Sequence, residues 1–219
     1  MRNLVSALVL FAMIGVSTAA TDAADVLRQT RERYETINTL SVQFENIFSF
    51  EQAGIEEQQA DGRFLMKKPH MFRVEMPELI QGTDGTVFWT YSPATSQIQI
   101  YDYDPAKTAV RPDNFLTAFI TDEGATYHGQ ARIDRQRCHV VEVRPSDTTS
   151  EIEVIKVWID RRKWIARKVL YTNRNGSTNL FNFTDIQINS DVAETEFKFQ
   201  PSPNTETLDF RQPPEPAEQ

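Results

Sequence analysis

Residues 60–76, Ala-Asp-Gly-Arg-Phe-Leu-Met-Lys-Lys-Pro-His-Met-Phe-Arg-Val-Glu-Met, restrict the fold more than any other stretch of the chain. Phe64 and Met66 share one face of a period-two alternation, and Phe72, Val74 and Met76 share another. Lys68-Pro69 breaks the run between them, so the pattern predicts a strand, a kink and a strand. Pro69 has no amide hydrogen for a sheet ladder and pushes Lys68 into extended geometry. The kink therefore belongs at an edge or corner, with the Lys68 ammonium aimed at a specific partner.

The chain opens with Met1-Arg2-Asn3, an apolar run over residues 4–16 and the small residues Ser17-Thr18-Ala19-Ala20. Those are the three parts of a secretory signal peptide, assigned to 1–20. The run is short for a bilayer, which needs about 20 apolar residues, and no later segment comes nearer. A soluble, exported mature protein of about 199 residues is expected. The formal charge is -8, and an acidic domain without a basic patch is a poor nucleic-acid binder. With Cys138 as the only cysteine, no intramolecular disulfide is available and the fold has to rely on its core. No cysteine follows the signal sequence, so an amino-terminal lipid anchor is not expected.

Leu27, Tyr34 and Ile37 lie on one stripe of a helix predicted over 25–38. The period then changes. Val42, Phe44, Phe48 and Phe50 line one face of a strand over 40–50, with Asn46 the lone polar residue among them. Thr83-Asp84-Gly85-Thr86 is a hairpin signal leading to Val87, Trp89 and Tyr91 on a common face and then to a strand at 97–100. Over 111–120, Pro112 suits a first helical turn, and Phe115, Leu116, Phe119 and Ile120 build a narrow apolar stripe on a short helix. Such a helix is marginal unless something apolar lies beneath it. Strands follow at 131–133, 138–143, 152–159, 164–171, 179–188 and 196–200. Phe181 and Phe183 are odd where Ile186 and Ile188 are even, which predicts a β-bulge between them. The residues from Phe210 onward are rich in Pro and Glu and predict a loose tail. About ten or eleven short antiparallel strands with two helical insertions favour a sandwich or a strongly curved sheet.

Catalytic constellations are missing from the sequence. His70, His128 and His139 are scattered, with no nucleophile motif, metal-ligand spacing or phosphate-binding glycine loop. Cys138 and His139 point to opposite faces of a strand, which argues against a Cys–His pair. The chain is read as a non-enzyme without cofactor or metal. What is abundant is large apolar side chains on sheet faces: fourteen Phe, with Met66, Met71 and Met76 near the corner. Alternation alone fits a filled core as well as a cavity for an apolar ligand covered by the 111–120 helix.

Several segments taken in order resemble the LolA family of periplasmic lipoprotein carriers. They are Leu40-Ser41-Val42-Gln43-Phe44, Gly62-Arg63-Phe64 followed by Lys68-Pro69 and Phe72, Asp84-Gly85 with Trp89 and Tyr91, Pro112 with Phe115-Leu116, and Phe197-Lys198-Phe199-Gln200-Pro201. The resemblance covers nearly the whole mature chain. It implies a mainly β fold, an unclosed half-barrel of about eleven antiparallel strands with a helical lid, as one domain over 21–205 and a flexible tail over 206–219. It also implies a monomeric periplasmic chaperone that binds the acyl chains of lipoproteins. Such a carrier collects them from the inner-membrane LolCDE transporter, through the periplasmic domain of LolC or LolE, and delivers them to the outer membrane through a LolB-type receptor where one exists. In these terms Phe44, Phe64, Met66, Phe72, Val74, Val87, Trp89 and Tyr91 are expected cavity wall, Phe115, Leu116, Phe119 and Ile120 the inner face of the lid, and Lys68 its latch. The family has arginine at the Lys68 position, bonded to lid backbone; an ammonium donates there without the planar fork. The alternative is a regulatory or structural periplasmic β-domain that binds a protein partner or another lipid, in the manner of the sensor RseB.

Overall fold

The computed structural model describes residues 22–105, 124–147 and 149–211. The expected signal peptide and the expected lid residues Phe115, Leu116, Phe119 and Ile120 lie outside these.

Helix α1 (Ala23–Glu35) begins where the Asp22 side chain accepts from the Ala24 amide at its N-terminus. Its apolar spacing buries Ala23, Val26, Leu27 and Tyr34 on one stripe. It starts two residues before the predicted helix and ends three before it, so Ile37, fully buried, packs from beyond the helix end.

Twelve strands follow in one sheet. They are β1 (Thr39–Phe50), β2 (Ile55–Lys67), β3 (Met71–Glu75), β4 (Ile80–Thr83), β5 (Val87–Ser92), β6 (Gln97–Asp102), β7 (Ala125–Ile133), β8 (Gln136–Val143), β9 (Ile152–Asp160), β10 (Ala166–Asn173), β11 (Thr178–Ile188) and β12 (Glu206–Asp209). The order across the sheet is β12-β6-β5-β4-β3-β2-β1-β11-β10-β9-β8-β7, with β12 and β7 as unjoined edges. The barrel is therefore unclosed, as expected. All neighbours are antiparallel except β12, which runs parallel to β6.

The predicted strand, kink and strand of residues 60–76 is the β2–β3 pair, joined by a turn containing a cis Lys68–Pro69 bond. The predicted bulge is present too: the β1–β11 register shifts between Ser41–Gln187 and Gln43–Thr184, with the extra residue, Asp185, at φ 45°. Gly62 serves a close approach. A Cβ there would collide with the Phe44 ring, which lies across β2 at that point.

Two expectations about the carboxyl end are corrected. Residues 196–200 are not a strand. A short 3-10 turn (Glu194–Phe197) leads into extended chain that packs on the back of the sheet, so the alternation of Phe197 and Phe199 reflects face packing and not strand pairing. The tail expected to be flexible from residue 206 begins with strand β12, whose residues pair with Gln97 to Ile100 of β6. Phe210 continues it, donating its amide to the Ile100 carbonyl and stacking on Tyr101.

One apolar cluster joins α1 to both halves of the sheet. It includes Leu27, Tyr34, Phe64, Phe72, Val141 and Val157. The sheet thus curls around the helix. β6 and β7 are consecutive strands that stand near opposite edges, and β6 finishes at one end of the sheet while β7 starts at the other.

Candidate functional site: the apolar inner face

Residues opposite one another on paired strands share a face. The pairs Leu40–Met66, Val42–Phe64, Met66–Phe72 and Phe64–Val74 extend the helix-facing side across β1, β2 and β3. Through Phe72–Thr83 and Thr83–Phe88 the same face reaches β5. In the other direction Phe44–Phe183, Val169–Phe181, Val157–Val169 and Val141–Val157 carry it to β8, and Tyr127–Val141 to the edge strand. The expected wall residues Phe44, Phe64, Met66, Phe72 and Val74 are thus brought together on the inner face.

Burial divides this face into two zones. Phe64 and Phe72 are 0 % exposed beneath the helix, so they form a packed floor. Around that floor, Phe88, Tyr103, Tyr127, Tyr171, Phe181 and Ile188 are only partly buried. Phe181 is the centre of this second zone: its ring stands edge-on to Phe44 at 5.8 Å and to Tyr171 at 6.0 Å, and stacks beside Phe183 at 6.3 Å. A recess of about 10 Å³ lined by Tyr34, Leu40, Val42, Ile165, Ala166, Phe183 and Ile186 has room for about one water and none for an acyl chain.

The polar groups of the face are kept neutral. Burial pushes the Tyr34 phenol up to about 12, against a smaller opposing effect of the hydrogen bond its oxygen accepts from the Ala166 amide at 3.3 Å. Burial, with Tyr34 nearby, raises Tyr171 as well. His139 lies 3.0 Å through Nδ1 from the Tyr127 hydroxyl and stacks on Trp164, and burial followed by the charge of Arg161 holds it below its ordinary value. Asn46, the lone polar residue seen in the strand pattern, has a buried Oδ1 with no hydrogen-bond partner among the described residues. On the opposite face the Cys138 thiol is pushed up to about 11, chiefly by burial, and so is a poor nucleophile. Among the described residues no group of three or more His, Cys, Asp or Glu is placed to hold a metal.

Lys68 occupies the corner. Its ammonium donates to the carbonyls of Tyr34 at 3.0 Å and Glu35 at 2.8 Å, and its amide donates to the Asn38 carbonyl at 2.8 Å. It therefore caps the carboxyl end of α1, where unpaired carbonyls and the helix dipole both favour a cation. The contact expected with the lid falls on residues outside those described.

Val87, Trp89 and Tyr91 are corrected. Trp89 lies opposite Gly82 and Ile100, on the outer face, while its neighbour Phe88 faces inward. The Trp89 indole donates to the Phe197 carbonyl at 3.0 Å and packs against Phe199, as does Tyr91. Strand alternation put Val87, Trp89 and Tyr91 on a common face correctly, but it carries no sign for which face is inner. The carboxyl-terminal chain packs over Trp89 and Tyr91. The inner-zone residues Phe88, Tyr127, Tyr171 and Phe181 were not singled out from the sequence. The alternation of Phe181 and Phe183 was the one signal available.

An unclosed antiparallel sheet curled about one helix, with an uncharged apolar inner face, defines a class of open half-barrel proteins. The family described as outer membrane lipoprotein carrier protein LolA matches residues 35–200. The chain belongs to that family. It is 27 % identical over 202 residues to an outer-membrane lipoprotein carrier protein of Haemophilus influenzae, covering 91 % of this chain and 93 % of that one. A protein of the same description from Pasteurella multocida is 28 % identical over 199 residues, 90 % of this chain and 91 % of that one. An uncharacterized conserved protein from Thermus thermophilus shares the fold, with a TM-score of 0.57 at 10 % identity over 85 % of this chain and 98 % of that one.

Proposed function

We propose that this chain is a periplasmic carrier that holds the acyl chains of lipoproteins against the partly buried aromatic zone of its inner face. It would take them up at the inner membrane from a LolCDE-type transporter and release them to the outer membrane, through a LolB-type receptor where one exists. The observation that carries this reading is the uncharged apolar face that continues from Phe88 on β5 to Tyr127 on β7, incompletely covered by α1. Membership of the lipoprotein carrier family supports it.

The energetics agree. Each CH₂ taken from water gains about 0.8 kcal/mol, so a lipoprotein with about forty such groups faces a cost on the order of 30 kcal/mol in water. Release without a local energy source requires incomplete burial, which suits a face with a rigid floor and a partly open rim. Phe115, Leu116, Phe119 and Ile120 are assigned to a cover over this face. Support comes from their apolar stripe and from their place between β6 and β7, strands near opposite edges of the sheet. Lys68 braces the β2–β3 corner to α1.

A reconstituted transfer assay tests the reading. Phe181→Ser or Phe115→Ser should lower uptake of acylated lipoprotein from inner-membrane vesicles at least about tenfold, the penalty for placing a hydroxyl against a chain of methylenes. Unchanged uptake in both variants would contradict it.

A further inference from the structure

Although the chain is acidic, one corner of the sheet is strongly basic. The β7–β8 turn and the β9–β10 turn lie side by side, because Cys138 pairs with Asp160 and the Arg161 amide donates to the Arg137 carbonyl at 3.0 Å. Together they expose Arg132, Arg135, Arg137, Arg161, Arg162 and Lys163. Among the described residues no ion pair joins any of these to a carboxylate; the Arg161 guanidinium donates to the neutral Gln130 side chain. The acids within the two turns are Asp134, which is exposed, and Asp160, which is buried and already held by Arg167 at 3.2 Å. At the opposite end of the same strands, the charge is largely acidic, with Asp147, Glu151 and Glu153, and with Glu56 and Glu57 on β2.

The corner is kept basic against local preference. Arg132 and Arg137 stand directly opposite one another on paired strands, where like charges are destabilising. Arg135 has φ 68° and Asp134 φ 45°, the left-handed pair of a two-residue hairpin that favours Asn-Gly. An arginine sits where a glycine would be easiest. Local rules broken together at one exposed place mark a function other than folding. The field of the patch is felt inside the protein, since Arg161 contributes to the lowering of His139.

We infer that this corner docks the protein on an anionic phospholipid surface. The cations are spread over the tips of two hairpins, Arg132, Arg135 and Arg137 on one and Arg161, Arg162 and Lys163 on the other. Such an arrangement suits a distributed negative surface, to which clusters of four to eight Lys and Arg bind additively and in a salt-dependent way. Binding of this kind needs no acyl chain in the inner face, so it is separable from the carrier role.

Vesicle co-sedimentation of the mature full-length chain tests this. The expected result is binding to vesicles of phosphatidylglycerol and phosphatidylcholine at low ionic strength, little to phosphatidylcholine alone, and release in 0.5 M salt. The variant R135E/R137E/R161E/R162E should bind the anionic vesicles at least about tenfold less, with an unchanged circular dichroism spectrum. The milder pair R135S/R162S, exposed at the two turn tips, should give an intermediate loss. E56Q/E57Q, at the far end, should bind as the parent does. Equal binding to neutral vesicles, or no loss in either arginine variant, would overturn the inference. So would absence of vesicle binding together with loss of lipoprotein transfer in the arginine variants, a result that would assign the corner to an acidic protein partner instead.

Discussion

Lys68 Nζ lies 2.8 Å from the carbonyl oxygen of Glu35, so the corner between β2 and β3 is tied to the end of the helix that fills the sheet. Lys68 itself is exposed, which limits what the contact contributes. Lys68→Met should lower stability by about 1 kcal/mol in urea unfolding, the usual size of a cap or a dipole contact. Lys68→Arg should restore it, since a guanidinium reaches the same pair of carbonyls. A loss of transfer much larger than the loss of stability would show that the brace also positions the cover.

The floor and the rim of the inner face should respond differently to truncation. Phe64 is 0 % exposed, and Phe64→Ala should destabilise by about 3–5 kcal/mol. Phe181→Ser, at the partly buried rim, should cost less stability and more lipoprotein uptake. Paired denaturation and uptake measurements check this. The reverse order would mean that the rim is ordinary core.

Gly62 and Phe44 form a coupled pair. Gly62→Ala places a methyl group into the Phe44 ring and should cost about 1–3 kcal/mol. The double variant Gly62→Ala/Phe44→Leu should recover part of that loss in a double-mutant cycle.

On the outer face, the Trp89 indole anchors the carboxyl-terminal chain through the Phe197 carbonyl. Trp89→Phe removes the donor and should cost about 1–3 kcal/mol, the penalty for an unpaired buried carbonyl. Amide hydrogen exchange in Thr207 and Leu208 of β12 should quicken with it. Protection unchanged in β12 would mean that its pairing with β6 stands alone.

Acidification should weaken the fold in two stages. His139 is held below its ordinary value, first by burial, so the folded state resists its protonation. Its contribution is complete above about pH 6.5 and declines as the pH falls below it. At Asp160 burial raises the carboxyl, and the Arg162 and Lys163 amides together with Arg167 outweigh it, leaving the group below its ordinary value. That contribution is complete above about pH 4 and is lost as the pH falls through the folded value. Asp160→Asn should cost about 2 kcal/mol at pH 7 and flatten the loss below pH 4. His139→Gln should flatten the slope just below about pH 6.5. Parallel slopes in parent and variants would exclude these groups.

Much of the fold was legible because its signals are local. Pro69 marked the corner, the parity change from Phe183 to Ile186 marked the bulge, and the Asp84-Gly85 hairpin sits where expected, with Asp84 Oδ1 accepting from the Thr86 and Val87 amides at 3.0 Å. The site was less legible because alternation separates two faces without saying which is inner. Trp89 and Tyr91 are large aromatics like Phe88, and only the long-range return of Phe197 and Phe199 to the outer face tells them apart. Strand β12 was missed for a related reason. Its sequence, Glu-Thr-Leu-Asp, is short and polar, and it is a strand because β6 presents an edge to it. The Lys68 ammonium was expected to meet carbonyls of the lid; among the described residues the carbonyls it meets belong to α1.

The central claim, that the inner face carries acylated lipoprotein, is tested most directly by native mass spectrometry of this chain purified from periplasm without detergent. A fraction of the protein should carry a mass equal to an acylated lipoprotein, and that fraction should fall sharply in Phe181→Ser while the variant stays folded. A parent protein that carries only unacylated partners, or nothing, in cells actively exporting lipoproteins would contradict the account.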